Sequence, residues 1–392
     1  MEGIKTRIFL TGATGVMGMA GLKEFIKYPG RYDISVLARN SKINRKKLKP
    51  FENKGIKIIW GDLLDEKSLR RGIENCDIIL HVGGMVSPLA DLYPEKTMKV
   101  NLGSMQLITK IIKELEDKDK DREIKMVFIG SVSQYGSKLP PNHWGSATDT
   151  QNPAIMDSYA ESKVLSEKTM KEAGLKKWVS IRQTGILHSG LLKNATNPVA
   201  FHTPINGVLE WITTEDSGRL LERICRKEVP DDFWGKCYNA GGGEPFRLTN
   251  YEFEKGILQA MGCPAPEKIF EPKWFATRNF HGMWFDDSDD LDEILHFREK
   301  DDFLKALERM KKELPGYFKL APLAPAFIIK WFMKRVASKP GLGPLSWIKE
   351  NDEEKIKVFW GGREEYEKIT DWKKLKKINL PKATPKRVRK NN

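Results

Sequence analysis

Tyr159 and Lys163 stand four residues apart in Tyr159-Ala160-Glu161-Ser162-Lys163, inside a helix-capable stretch over 159–172. That spacing puts a phenol and an ammonium on one helical face. A phenol has a reference pKa of about 10 and is a poor base at neutral pH. A neighbouring cation favours the phenolate and draws that pKa toward working pH. The pair could then pass a proton to or from a substrate oxygen. Tyr-x-x-x-Lys is common on helix surfaces, so position has to give it weight. Upstream of it the apolar run Met126-Val127-Phe128-Ile129 closes in Gly130-Ser131. The ends of such strands are where α/β sheets place their sites.

The elements that must position these residues begin near the N-terminus. Ile8-Phe9-Leu10 reads as a buried strand, followed by Gly12, Gly15 and Gly18 and then by a helix-capable segment over 19–26. Strand, glycine turn and helix form the dinucleotide-binding arrangement. Gly12 permits the tight turn, Gly15 lets the backbone approach a pyrophosphate, and Gly18 lets the helix pack closely. The helix N-terminus offers N–H groups to the phosphates. An oxidised nicotinamide would add its positive charge to that of Lys163 beside the phenol. Further strands are expected over 34–38, 56–60, 77–82, 126–129 and 178–182, with helices over 66–73, 97–116 and 159–172. Such alternation predicts an α/β fold, a doubly wound parallel sheet covered on both faces. The second strand ends in Ala38-Arg39-Asn40-Ser41-Lys42. NAD enzymes usually carry an acid there. Arg39 instead offers a planar fork suited to a 2′-phosphate, so NADP is expected and NAD less so.

Beyond Ile186 the pattern is irregular. Residues 189–207 read as loop, 211–226 contain a helix, and 237–240 a strand closed by three glycines. A helix is expected over 249–261, with Thr249 as N-cap and Glu252 three residues on. Residues 264–272 look like a linker, and 291–313 mainly helical. The expected division is a dinucleotide-binding domain over 1–186 with returning segments near 208–243. A substrate domain takes 187–207 and 244–320, and a helical extension with a basic tail takes 321–392. Within the extension, 326–336 is strongly apolar, with Phe327, Ile328, Ile329, Trp331, Phe332 and Met333. It could lie on a membrane surface, cap a hydrophobic substrate, join a homodimer or simply pack. The tail carries nine basic residues after Asp371 and no acid, and is expected to be solvated and partly disordered.

The chain has 392 residues and a formal net charge of +14. No helix-turn-helix, zinc-finger or RNA-binding signature accompanies that charge, so a solvated lysine-rich surface is expected and no nucleic-acid partner. Cys76, Cys225, Cys237 and Cys263 form no Cys-x-x-Cys pair. They read as free thiols of a reducing compartment, with no metal site. No apolar leader precedes Arg7, and no run of about 18 apolar residues exists, so a cytoplasmic protein without a transmembrane segment is expected.

Together these motifs resemble the extended short-chain dehydrogenases/reductases, the family that includes the NAD-dependent epimerases and dehydratases. The resemblance spans about residues 4–300. It rests on the stretch from Thr11 to Gly18, Gly61-Asp62-Leu63, His81-Val82-Gly83-Gly84, Val100-Asn101-Leu102-Gly103, Ile129-Gly130-Ser131, Tyr159/Lys163, Glu215-Asp216 and Tyr238-Asn239-Ala240-Gly241. It implies that Ser131 hydrogen-bonds the reacting oxygen, that Tyr159 is the acid/base, and that Lys163 holds the nicotinamide ribose and lowers the tyrosine pKa. It implies cofactor contacts from Gly12, Thr14, Gly15, Val16, Met17 and Gly18, from Arg39 and Asn40, from Asp62 and Leu63 beside the adenine, from Val82, Gly83 and Gly84, and from Gly185 and Ile186 near the nicotinamide. Asn101 is expected to shape a helix rather than react. Two departures stand out: Gly83-Gly84 replace common alanines, and Gln183 replaces a common proline. Residues beyond about 320 match nothing in that family.

The expected activity is NADP-dependent interconversion of a ketone or aldehyde with an alcohol, a hydrophobic substrate being one option. A nucleotide-sugar epimerase or dehydratase is the first alternative, and a non-catalytic NADP sensor the second. Dehydratases of the family carry Asp and Glu directly after the serine, where this chain has Val132 and Ser133. Nucleotide-sugar enzymes commonly place an arginine where this chain has Leu209, and Glu210 beside it is expected to repel a diphosphate. Arg182 could substitute for that arginine. His143-Trp144, His188, His202 and His281 fall in segments that should surround a substrate, though packing roles are favoured. Residues 274–284 read as core, and Asp286, Asp287, Asp289 and Asp290 as the start of a helix rather than a metal site.

Overall fold

The computed structural model describes residues 4–87, 89–193, 197–316 and 323–373. Seven strands form one parallel sheet: β1 Thr6–Thr11, β2 Tyr32–Ala38, β3 Lys57–Trp60, β4 Ile78–His81, β5 Lys125–Ser131, β6 Lys177–Gln183 and β7 Lys236–Ala240. Their order is β7-β6-β5-β4-β1-β2-β3. The order reverses between β1 and β4, which leaves a crevice at the carboxyl ends of those strands. Thr11 is in register with both Leu37 and His81, and Ser131 with Gln183.

Alternating strand residues feed two cores, because successive side chains point to opposite faces. Ile8 and Leu10 pack with Met17, Leu22 and Phe25 of α1 (Val16–Phe25), and with Leu220, Leu221 and Ile224 further along the chain. Phe9 and Ile79 join Met126 and Phe128 on the other face, where Ile108, Ile111 and Ile112 cover them.

Helix α2 (Lys42–Glu52) was not expected, since its first residues read as a charged surface run. Ser41 caps it by accepting from the Asn44 N–H, and only Leu48 and Phe51 are buried. Two apolar contacts among lysines, with Pro50 inside, leave little periodic signal. The longer remaining helices of this half are α3 (Glu66–Ile73), α4 (Pro94–Lys118), α5 (Ser158–Glu172) and α6 (Thr214–Ile224), with one short turn of helix at Leu89–Leu92.

The second half departs more from expectation. The supposed loop 189–207 contains a short helix, Ser189–Lys193, and a 3-10 turn, Pro198–Phe201, with Phe201 buried. The supposed linker carries the helix Pro266–Ile269, and Ile269 and Phe270 are core residues. Helix α7 (Asn250–Ala260) has the Thr249–Glu252 capping box that the sequence signals. The expected helix over 291–313 is two, α8 (Ser288–Leu295) and α9 (Phe303–Lys312), separated where His296 turns left-handed at φ 49°. Asp289 and Asp290 occupy the first turn of α8.

The extension continues as α10 (Ala326–Ala337), α11 (Pro344–Lys349), α12 (Glu353–Trp360) and α13 (Arg363–Glu367). Trp347, Ile356, Trp360 and Tyr366 share one core with Phe201, Trp274 and Phe275. The basic tail beyond Lys373 and the boundary at 320/321 lie outside the described residues. No helix of the described residues is long and apolar enough to cross a membrane.

Candidate active site

Three of the expected residues converge at the carboxyl end of β5. Ser131 ends that strand. Tyr159 lies in the first turn of α5, whose N-cap Asp157 accepts from the Ala160 N–H at 2.8 Å. The Tyr159 hydroxyl is hydrogen-bonded to Ser131. Ser133 donates to Ser131 Oγ through its backbone N–H at 3.1 Å and its hydroxyl at 2.9 Å. One turn along α5, the buried Lys163 ammonium donates to the Ile129 carbonyl at 2.7 Å. It sits 5.9 Å from the centroid of the Tyr159 ring.

The electrostatics differ from expectation. Burial pushes the Tyr159 phenol up to about 12, the Ser131 hydrogen bond opposing this and the Asp157 charge adding to it. Burial also draws Lys163 down to about 8. The lysine spends its hydrogen bond on the backbone, so it does not by itself bring the phenol to working pH. His81 is buried between Thr11 Oγ1 at 2.8 Å and Ser104 Oγ at 3.3 Å. Burial, with Lys163 adding repulsion, lowers it to about 3, so it is a neutral support.

The glycine turn faces this site across the crevice. Gly12 has φ 75°, and a Cβ there would lie 2.6 Å from Gly83 N. The Gly83 N–H in turn donates to Thr11 Oγ1 at 3.0 Å. A Cβ on Gly18 would collide with the Gly12 carbonyl oxygen, so this residue sets the contact of α1 with the turn itself. Thr14, Val16 and Met17 lie within or just after the turn. Gly15 is the N-cap of α1, with no side-chain cap. The helix's leading N–H groups are thus left for an anion. Leu63 approaches Gly83 from the end of β3, and Asp62 beside it accepts from the Leu64 N–H at 3.0 Å. Val82 and Gly84 flank Gly83, and Ile186 follows β6. Asn101 ties this loop to α5: it accepts from Met85 N–H at 2.7 Å and donates to Ser162 Oγ at 2.9 Å. It braces the loop against α5.

Arg39 and Asn40 are exposed past β2, and no acid stands with them. Two basic residues missed in the sequence join them. Arg45 donates to Asn40 Oδ1 at 2.7 Å and stacks over Trp60 at 5.0 Å. Lys47 donates to the Thr14 carbonyl at 3.1 Å. Their signal was the 42–49 charge run, whose one-sided placement needs α2 to be recognised as a helix. At the end of β6, beside Ser131, the buried Gln183 Oε1 and Thr184 Oγ1 have no partner among the described residues. Such polar atoms suit a carboxamide or hydroxyl. An uncapped helix, a glycine-narrowed crevice and orphaned polar atoms near Tyr159 and Lys163 fit a nicotinamide dinucleotide.

Two expectations are corrected. Arg182 is not available to a diphosphate. Its Nε and one terminal nitrogen bind the buried Glu167 at 3.0 and 2.7 Å, and the other binds the Tyr135 hydroxyl and the Ala147 carbonyl at 2.6 and 2.8 Å. Glu210 is not a repelling surface charge. It is fully buried and accepts from Arg247, Ser288 and the N–H groups of Gly243 and Phe285 at 2.6–3.1 Å. The histidines are mostly structural. His202 Nε2 is hydrogen-bonded to the Leu342 carbonyl beside Trp347, and burial lowers it to about 4. His143 is buried against Trp284, His188 Nδ1 accepts from Gly190 N–H, and His281 lies 3.5 Å from Asp157.

The parallel sheet and the convergence of Ser131, Tyr159 and Lys163 resemble the extended short-chain dehydrogenases/reductases. Residues 8–182 match the family described as NAD dependent epimerase/dehydratase. The fold is shared with solved structures of low identity. One is the dTDP-glucose 4,6-dehydratase DesIV of Streptomyces venezuelae with NAD bound, 18% identical with a TM-score of 0.62, covering 78% of this chain and 96% of that one. The UDP-glucose 4-epimerase of Thermus thermophilus, in complex with NAD, is 18% identical with a TM-score of 0.59, covering 78% and 98%. The UDP-glucuronic acid 4-epimerase of Bacillus cereus, in complex with NAD, is 17% identical with a TM-score of 0.59, covering 81% and 100%. No curated protein sequence matches the chain.

Proposed function

We propose that the protein interconverts a ketone or aldehyde with an alcohol, using NADP(H), and releases the cofactor in changed redox state. When bound, the nicotinamide supplies or takes up the hydride. Ser131 and Tyr159 would hold the reacting oxygen, and Tyr159 would give it a proton in reduction and take one in oxidation. Lys163 would turn from the Ile129 carbonyl to the ribose and stabilise the phenolate. Arg39 would bind the 2′-phosphate, with Arg45 fixing Asn40 beside it.

The observation that carries the choice over a nucleotide-sugar enzyme is the chemistry absent around an intact acid/base pair. Val132 and Ser133 supply no carboxylate. Leu209 is apolar, and Arg182 is consumed by Glu167. Several relatives by fold act on dTDP- or UDP-sugars according to their descriptions, and their likeness concerns the fold. The mouth of the site also favours an apolar substrate. Val86, Leu89, Leu92, Ile155 and Met156 are exposed on the β4 loop and next to the start of α5. Titration with UDP- and dTDP-sugars tests the reading: no micromolar binding is expected, and micromolar binding lost on Leu209→Asp would overturn it.

A further inference from the structure

One face of α10 has no partner among the described residues. Met333, Val336 and Ala337 anchor the helix in the core shared with Phe201, Trp274 and Trp347. On the opposite side Phe327 is 72% exposed, Trp331 59%, Ile328 46% and Phe332 45%. Phe327 and Trp331, and Ile328 and Phe332, are each four apart and so stacked one turn above the other, and the two adjacent rows make a continuous apolar stripe. Leu323, 76% exposed, stands just before it. Four large apolar side chains on one twelve-residue helix are not the scattered exposure normal for a surface.

The charges around the stripe point to one occupant. From Leu314 to Lys349 the sequence contains Lys319, Lys330, Lys334, Arg335, Lys339 and Lys349 and no acid. Lys330 is bridged to Glu271 at 3.0 Å. Lys334, Arg335 and Lys339 are exposed and make no ion pair among the described residues, and Arg335 rests over Trp331 at 5.0 Å. Aromatic and aliphatic groups lead the helix, and basic groups follow about 10 Å behind at about 1.5 Å per residue. A helix set this way buries its leading turns at the acyl boundary while its cations meet lipid phosphates. A second copy of this segment would bring unpaired cations together. The chain's own tail, with nine basic residues and no acid after Asp371, would do the same.

We propose that α10 docks the protein peripherally on an anionic bilayer surface, with Phe327, Ile328, Trp331 and Phe332 entering the interface and Lys334, Arg335 and Lys339 at the headgroups. Flotation of the full-length protein tests this with vesicles of phosphatidylcholine alone and of phosphatidylcholine with phosphatidylglycerol. The protein should float with the mixed vesicles and much less with the neutral ones. Phe327→Ser/Trp331→Ser should lower the bound fraction at least about tenfold through lost apolar burial. Lys334→Glu/Arg335→Glu should lower binding to the mixed vesicles alone. Both pairs are exposed, so unchanged thermal unfolding certifies that the variants fold. No flotation with either vesicle overturns the proposal. So does flotation unaffected by the aromatic pair, which would assign it to the tail, or a dimer in light scattering that dissociates on Trp331→Ser.

Discussion

Tyr159 and Lys163 are displaced in opposite directions by the same burial, the phenol up to about 12 and the ammonium down to about 8. Reduction of a carbonyl needs the phenol protonated, which it is throughout the neutral range. Oxidation of an alcohol needs the phenolate. The oxidation rate should therefore rise with pH up to about 12 while reduction stays level through the neutral range, as steady-state profiles in both directions would report. The lysine has a stability consequence too. Its folded value lies below its reference of 10.5, so between those values the unfolded chain holds more protons and this group's contribution improves as pH rises. In denaturant titrations, Lys163→Met should remove that rise. Tyr159→Phe should cut turnover by about 10²–10⁴-fold with cofactor binding kept; near-normal turnover would place the proton elsewhere. Arg39→Asp should lower the preference for NADP(H) over NAD(H) by at least about tenfold, the loss of a charge-assisted contact. The Tyr159/Lys163 pair was legible because it is local, four residues apart on one helix. Its pKa values were not, because desolvation depends on how the strands close around it.

At the scale of elements, β6 and α5 are joined by a buried charge pair. Glu167 accepts from Arg182, from Ser180 Oγ at 2.7 Å, and from the side-chain amides of Gln134 at 3.2 Å and Gln151 at 2.8 Å. The Arg182 guanidinium holds the carboxyl below its ordinary range against the opposing effect of burial. Glu167→Gln leaves that guanidinium buried without a counter-charge. Removing one partner of such a pair costs about 3–5 kcal/mol, measurable as a shift of the denaturant midpoint. A loss under about 1 kcal/mol would mean that solvent reaches Arg182. The Rossmann strands were legible from short apolar runs, each a local signal. Partnerships such as Glu167 with Arg182, or Glu210 with Arg247 and Ser288, join distant segments and leave no periodic mark. That is why Arg182 could pass for a substitute diphosphate clamp and Glu210 for a charge that repels a diphosphate.

Over the whole molecule, the extension belongs to the core it shares with Phe201, Trp274 and Phe275. Trp360 is fully buried and donates from its indole to the Phe275 carbonyl at 2.9 Å. Trp360→Ala should cost about 3–5 kcal/mol, and a midpoint shift under about 1 kcal/mol would show the extension to be loosely held. Its apolar residues were visible in the sequence. Their partners Phe201, Ile269 and Phe270 were hidden in stretches too short and irregular to read as anything but loop and linker. Net redox chemistry on a carbonyl or alcohol would be reported directly by the redox state of the nicotinamide. The measurement is nicotinamide absorbance with excess NADPH over the enzyme and a panel of hydrophobic ketones, small aldehydes and nucleotide sugars. Stoichiometric NADPH oxidation with a ketone or aldehyde, abolished by Tyr159→Phe, is the expected result. Conversion of a nucleotide sugar with no net change in nicotinamide would contradict it, because an epimerase returns its hydride.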